Sequence, residues 1–129
     1  MTAPSLGPPV EELVTIEVVE SGSSVCVAAA GEIDSTSAPV LRQHLDTLLE
    51  GSISELTVDL GRVTFLDSAG LCVLAATHRR AVKQDVTMRV LASSRAVIRP
   101  LQITGLWELL HAEQVDESSR TIPMQQGVA

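Results

Sequence analysis

The sequence contains no tyrosine, one phenylalanine (Phe65) and one tryptophan (Trp107), so any core it builds is aliphatic. Basic residues are also few: nine Lys and Arg against sixteen Asp and Glu give a formal net charge of −7. An acidic, aromatic-poor chain repels phosphate backbones, which excludes nucleic acid as an expected partner. No apolar run approaches the roughly 20 residues needed to span a bilayer, and no basic segment leads into an apolar stretch at the start. Neither membrane insertion nor a signal peptide is expected, and a cytoplasmic location is. Cys26 and Cys72 are read as small, reduced apolar residues, with a redox role as the alternative. His44, His78 and His111 form no cluster with cysteine at ligand spacing, so no metal or other cofactor is expected.

What is present suffices for one domain: 129 residues, 45% hydrophobic and 19% charged. Residues 1–12 carry Pro4, Pro8 and Pro9 without periodicity and predict a flexible tail; 115–129 predict another, leaving 13–114 as the domain. Leu13–Glu20 reads as a strand with Val14, Ile16 and Val18 on one side, and Ser24–Gly31 as a second, almost wholly apolar and therefore buried. A turn at Ser21-Gly22-Ser23 makes the pair a hairpin. Ser35-Thr36-Ser37 can cap a helix with Leu41, Leu45 and Leu48 on one face, ending near Gly51. Strands are predicted over Glu55–Asp59 and Thr87–Ala92, and helices from Ser68 to about Lys83 and from Ser94 through Ile103, the latter kinked or shortened by Pro100. Gly105 precedes a last turn over Leu106–His111. Helical crossovers require parallel strands after the hairpin. The fold class is therefore α/β: a small mixed sheet, an N-terminal hairpin plus parallel strands, covered by about four helices.

Ser68 holds the chemistry. It stands where a short loop after the third strand, ending Asp67-Ser68-Ala69-Gly70, meets a long amphipathic helix. Free N–H groups and the helix dipole favour negative charge there. A serine so placed can cap the helix, attack a substrate or accept a phosphoryl group. A hydrolase elbow carries glycine two residues before its serine, and here that residue is Leu66. The small Ala69 and Gly70 leave room for another protein's active site, which suits a phosphoacceptor. On a helical wheel Leu71, Leu74, Ala75, His78 and Val82 form the arc expected against the sheet. A second apolar arc holds Ala69, Cys72, Val73 and Ala76 with Ser68 at its edge and Arg79, Arg80 and Lys83 nearby. Either another helix covers this arc or a partner does.

The segment Phe65-Leu-Asp-Ser-Ala-Gly-Leu71, with Gly31-Glu-Ile-Asp34 before it and Leu101-Gln-Ile-Thr-Gly-Leu106 after it, resembles the anti-sigma factor antagonist branch of the STAS domain family. The resemblance implies partner switching. The unphosphorylated antagonist binds an anti-sigma factor and frees a sigma factor; the anti-sigma factor, itself a serine kinase, phosphorylates the antagonist, and a PP2C-type phosphatase restores it. It implies that Ser68 is the phosphoacceptor and that the protein is not an enzyme. Asp34, Asp67, Ala69, Gly70, Leu71, Cys72, Val73 and Ala76 are expected at the partner surface, on a monomer or weak dimer. The alternatives are a STAS accessory subunit of a transport or signalling assembly without a phospho-switch and, more remotely, a serine hydrolase.

Overall fold

The computed structural model describes residues 14–115. The expected tails lie outside the described residues except for Val115, whose N–H donates to Ala92 O at 2.8 Å. Alternating apolar residues draw β1 (Val14–Ser21) and β2 (Ser24–Ile33) into an antiparallel hairpin around Gly22, which takes φ +63°. β3 (Glu55–Leu66), β4 (Thr87–Ala92) and β5 (Ala112–Gln114) add in parallel, giving one sheet in the order β1-β2-β3-β4-β5. After the hairpin, α1 (Ala38–Leu49) leads to β3, α2 (Ser68–Lys83) to β4, and α3 (Arg95–Ile103) with the single turn α4 (Leu106–Leu109) to β5. The predicted class, a small mixed α/β sheet covered by about four helices, is what the structure has.

The sheet buries one face. Val25, Val27 and Ala29 of β2, Leu56, Val58 and Leu60 of β3, and Met88, Val90 and Ala92 of β4 are buried with Leu41, Leu45 and Leu49 of α1 and Val97, Ile98 and Leu101 of α3. On β2 the intervening Cys26, Ala28 and Ala30 are only half-buried, so the strand is not buried on both sides as its apolar run suggested. Burying one face of each element is the main source of stability here, at about 25 cal/mol per Å² of apolar surface removed from water.

Several boundaries differ from expectation for identifiable reasons. β3 continues to Leu66 instead of ending at Asp59, and β2 continues to Ile33. Leu60 and Gly61 stand together opposite Ala29, a bulge that places two consecutive buried residues in the strand and breaks its alternation. The three-residue β5 went unread because it is defined by pairing with β4. In α1 Leu49, not Leu48, completes the buried face. Pro100 does not interrupt α3, which Ser94 caps by accepting the Ala96 N–H at 3.1 Å.

Candidate functional site

Two acidic residues emerge side by side at the carboxyl ends of neighbouring parallel strands. Ile33 and Leu66 are register partners, and the Asp67 N–H donates to Ile33 O at 3.1 Å. Asp34 and Asp67 each follow directly, one opening the loop into α1 and the other the turn into α2. Both carboxylates are used to hold backbone. Asp34 Oδ1 accepts the N–H groups of Thr36 at 2.9 Å and Ser37 at 3.1 Å, and these bonds hold its pKa below the ordinary aspartate value. Ser37 occupies the α1 cap position, yet its hydroxyl does not cap. It turns back to Glu32 O at 2.7 Å and receives the Asp34 N–H at 3.0 Å.

At α2 the capping residue is Asp67. Its Oδ1 accepts from Ala69 N at 2.8 Å and from Gly70 N at 3.4 Å. Capping therefore falls to the neighbour of Ser68, and Ser68, the first helical residue, is exposed. Its hydroxyl makes no hydrogen bond among the described residues.

The face that α2 turns to the core is rotated by about one residue from the wheel reading. Gly70, Val73, Leu74, Thr77 and Ala81 are buried, while Val82 is 60% exposed and Ala75 and His78 are half-exposed. Gly70 and Thr77 carry no large apolar group, so a hydrophobicity wheel undervalues the stripe that packs. A Cβ at Gly70 would collide with Leu66 Cδ1 and lie 2.9 Å from Ile33 Cγ2. Gly70, expected at the partner surface, is thus corrected to a packing residue: it lets the first turn of α2 rest directly on β2 and β3. Leu71 is half-buried against the core.

The second arc does border open space. Ala69, Cys72, Val73, Ala76 and Arg79 of α2 form one wall of a groove of about 500 Å³, and Ser35, Ala38, Pro39 and Arg42 form the other. Cys72 is exposed and Ala69 and Ala76 half-buried, whereas Val73, at 6% exposure, is floor. Asp34 stands beside this groove, one residue before its Ser35 wall. The α1 wall went unread because a helical wheel does not say which helix lies opposite. Arg79 was legible as the residue three beyond Ala76 on the same stripe. Phe65, 45% exposed, adds an apolar surface just before the Asp67 cap. Among the described residues no three His, Cys, Asp or Glu side chains gather to hold a metal ion, and no helix is long and apolar enough to cross a membrane.

This arrangement is an α/β module whose sheet is covered on one face, with an exposed serine at the head of a helix that borders an open groove. The chain belongs to the STAS domain family, whose model matches residues 15–121. It is 35% identical over 97 residues to the anti-sigma-B factor antagonist of Bacillus subtilis (strain 168), covering 75% of this chain and 88% of that protein. The anti-sigma-F factor antagonist RsfB of Mycobacterium tuberculosis is 31% identical over 93 residues, with 72% and 75% covered. The crystal structure of an anti-sigma factor antagonist from Mycobacterium paratuberculosis superposes with a TM-score of 0.75 at 32% identity, covering 90% of this chain and 97% of that one.

Proposed function

We propose that this chain is an anti-sigma factor antagonist gated by phosphorylation of Ser68. Unphosphorylated, it binds an anti-sigma factor through the α1–α2 groove and the surface around Ser68, and a sigma factor is released. The observation that carries this reading is the division of labour at the head of α2. Asp67 holds the N–H groups of Ala69 and Gly70, leaving the Ser68 hydroxyl exposed and uncommitted. Relatives named as antagonists favour this reading over a transport accessory. The hydrolase reading lacks a base: His78, ten residues along the same helix, is about 15 Å away by helical rise, and Ser68 bonds to no histidine among the described residues.

Transfer forms a bond from Ser68 Oγ to the γ-phosphorus of ATP and breaks the γ-phosphorus bond to the β-bridging oxygen. ADP leaves, and the hydroxyl proton passes to a base on the kinase, which is the anti-sigma factor itself. A PP2C-type phosphatase reverses the modification by hydrolysis. The phosphate adds about −1.5 to −2 charges at neutral pH. Enclosed in the interface without a cation it costs about 3–5 kcal/mol, or about a hundredfold to several-thousandfold in affinity. No refolding is required for the complex to part.

Ser68→Ala tests the assignment. The variant is expected to bind the anti-sigma factor constitutively and to accept no phosphate from it with ATP, read by intact mass and co-elution. A single phosphate still appearing on the variant refutes Ser68 as the acceptor.

A further inference from the structure

The groove carries charge opposite in sign to the chain. Overall the protein is −7, with sixteen acidic residues, yet no carboxylate lines the groove and two arginines, Arg42 and Arg79, do. Among the described residues Asp46, on α1, is the acid that pairs with arginines here, while Asp34, beside the groove, is committed to the Thr36 and Ser37 N–H groups. The Asp46 carboxylate lies 3.6 Å from Arg42 Nε and 3.4 Å from Arg80 Nη1, so one negative charge is divided between two guanidiniums. Arg79 is exposed and has no ion-pair partner among the described residues. Arg42, on the α1 wall, thus shares Asp46 with Arg80, and Arg79, on the facing α2 wall, is the groove arginine left without an ion pair among the described residues.

We infer that Arg79, with Arg42 on the facing wall, selects the partner: the segment that seats in the groove is apolar on its contact face and carries a carboxylate opposite Arg79. This rests on the groove being the anti-sigma docking surface and adds what that surface discriminates. Screening localises the effect. At physiological ionic strength the Debye length is about 8 Å, so acids farther than that from the groove are damped while a carboxylate seated in contact with Arg79 is screened much less. A segment offering Lys or Arg at that place is rejected by like charge, which lets a chain of this family ignore anti-sigma factors that are not its own.

The test uses the full chain and the kinase-type anti-sigma factor of the same genome that phosphorylates Ser68, with affinity read by calorimetry. Arg79→Gln is expected to weaken binding about fivefold and Arg79→Glu about fiftyfold. Both should melt as the wild type does, because Arg79 makes no ion pair in the fold. A Glu→Lys or Asp→Lys change in the partner's seated segment should restore binding to Arg79→Glu. Cys72→Trp, which fills the groove from an exposed position, checks the docking surface separately. If Cys72→Trp abolishes binding and Arg79→Glu binds like the wild type, the groove is the seat and the selection by charge is wrong. If Cys72→Trp binds unchanged, the docking surface lies elsewhere and the inference goes with it.

Discussion

Gly70→Ala adds one methyl group where α2 meets the sheet, and the structure says where that methyl goes. It would collide with Leu66 Cδ1, lie 2.9 Å from Ile33 Cγ2 and 3.3 Å from Leu66 Cγ. Neither neighbour yields cheaply. Ile33 is fully buried, and its Cγ2 hangs directly from a branched Cβ that cannot rotate it aside. Leu66 is 3% exposed and held by the same core. Overpacking of this kind costs about 1–3 kcal/mol, while exchanging glycine for alanine in a helix returns up to about 1 kcal/mol. The expected net loss is about 1–2 kcal/mol, which for a domain of this size lowers the melting temperature by about 5–15 °C.

Thermal and urea denaturation followed by Trp107 fluorescence and circular dichroism measure it. Leu66→Ala alone should cost about 2–5 kcal/mol by opening a cavity. Combined with Gly70→Ala it should cost less than the sum, because the new methyl enters space that Leu66 vacated. A Gly70→Ala protein as stable as the wild type, or strict additivity in the double variant, would show that the head of α2 does not rest on the sheet as described. The place of Ser68 would then have to be redrawn.

Asp34 is held ionised by the Ser37 and Thr36 N–H groups, so its folded-state pKa lies below the unfolded value. Its contribution to stability is present above the ordinary aspartate pKa of about 3.9 and is lost as pH falls through the folded-state value. Asp34→Ala should melt below the wild type at pH 7, with the gap closing in acid; a gap independent of pH would mean that the carboxylate does not hold the loop. Ser68→Asp should weaken anti-sigma binding less than phosphorylation does, since a carboxylate carries one charge and two oxygens; calorimetry against the phosphorylated protein checks the order.

The sequence was most legible where a signal is local. Ser94 announces the start of α3, and α2 and β4 lie where caps and alternation placed them. It was least legible where the fold is decided by a neighbour. The second half of β3 has lost its alternation to two register irregularities that exist only against β2, and β5 exists only against β4. The rotation of α2 follows from Gly70, whose importance lies in a missing side chain, which a hydrophobicity scale does not register. Around the candidate site, spacing put Ser68 at the head of α2 and Cys72 and Ala76 on one stripe, while the family resemblance was what singled out Ser68 as the phosphoacceptor. The α1 wall and the lone charge of Arg79 required the packing of two helices.

Asp67 also changes what phosphorylation of Ser68 can do. The helix dipole suggests that a phosphate at this terminus is stabilised, but the N–H groups of Ala69 and Gly70 already bond Asp67. A phosphate on Ser68 would therefore project outward beside a fixed carboxylate instead of folding back onto its own helix. At a separation of roughly 6 Å and an effective dielectric constant of about 40–80, the repulsion is about 0.7–1.4 kcal/mol, or half to one unit of pKa. Asp67→Asn isolates this charge, because asparagine caps a helix about as well as aspartate. In the phosphorylated protein the second phosphate pKa, near 6 when unperturbed, should fall by about that amount on the change to asparagine, followed by phosphorus NMR across pH 5–8. An unmoved titration would mean that the phosphate has displaced Asp67 from the helix terminus and taken its N–H groups. The switch would then act by rearranging the head of α2, not by charge held out toward the partner.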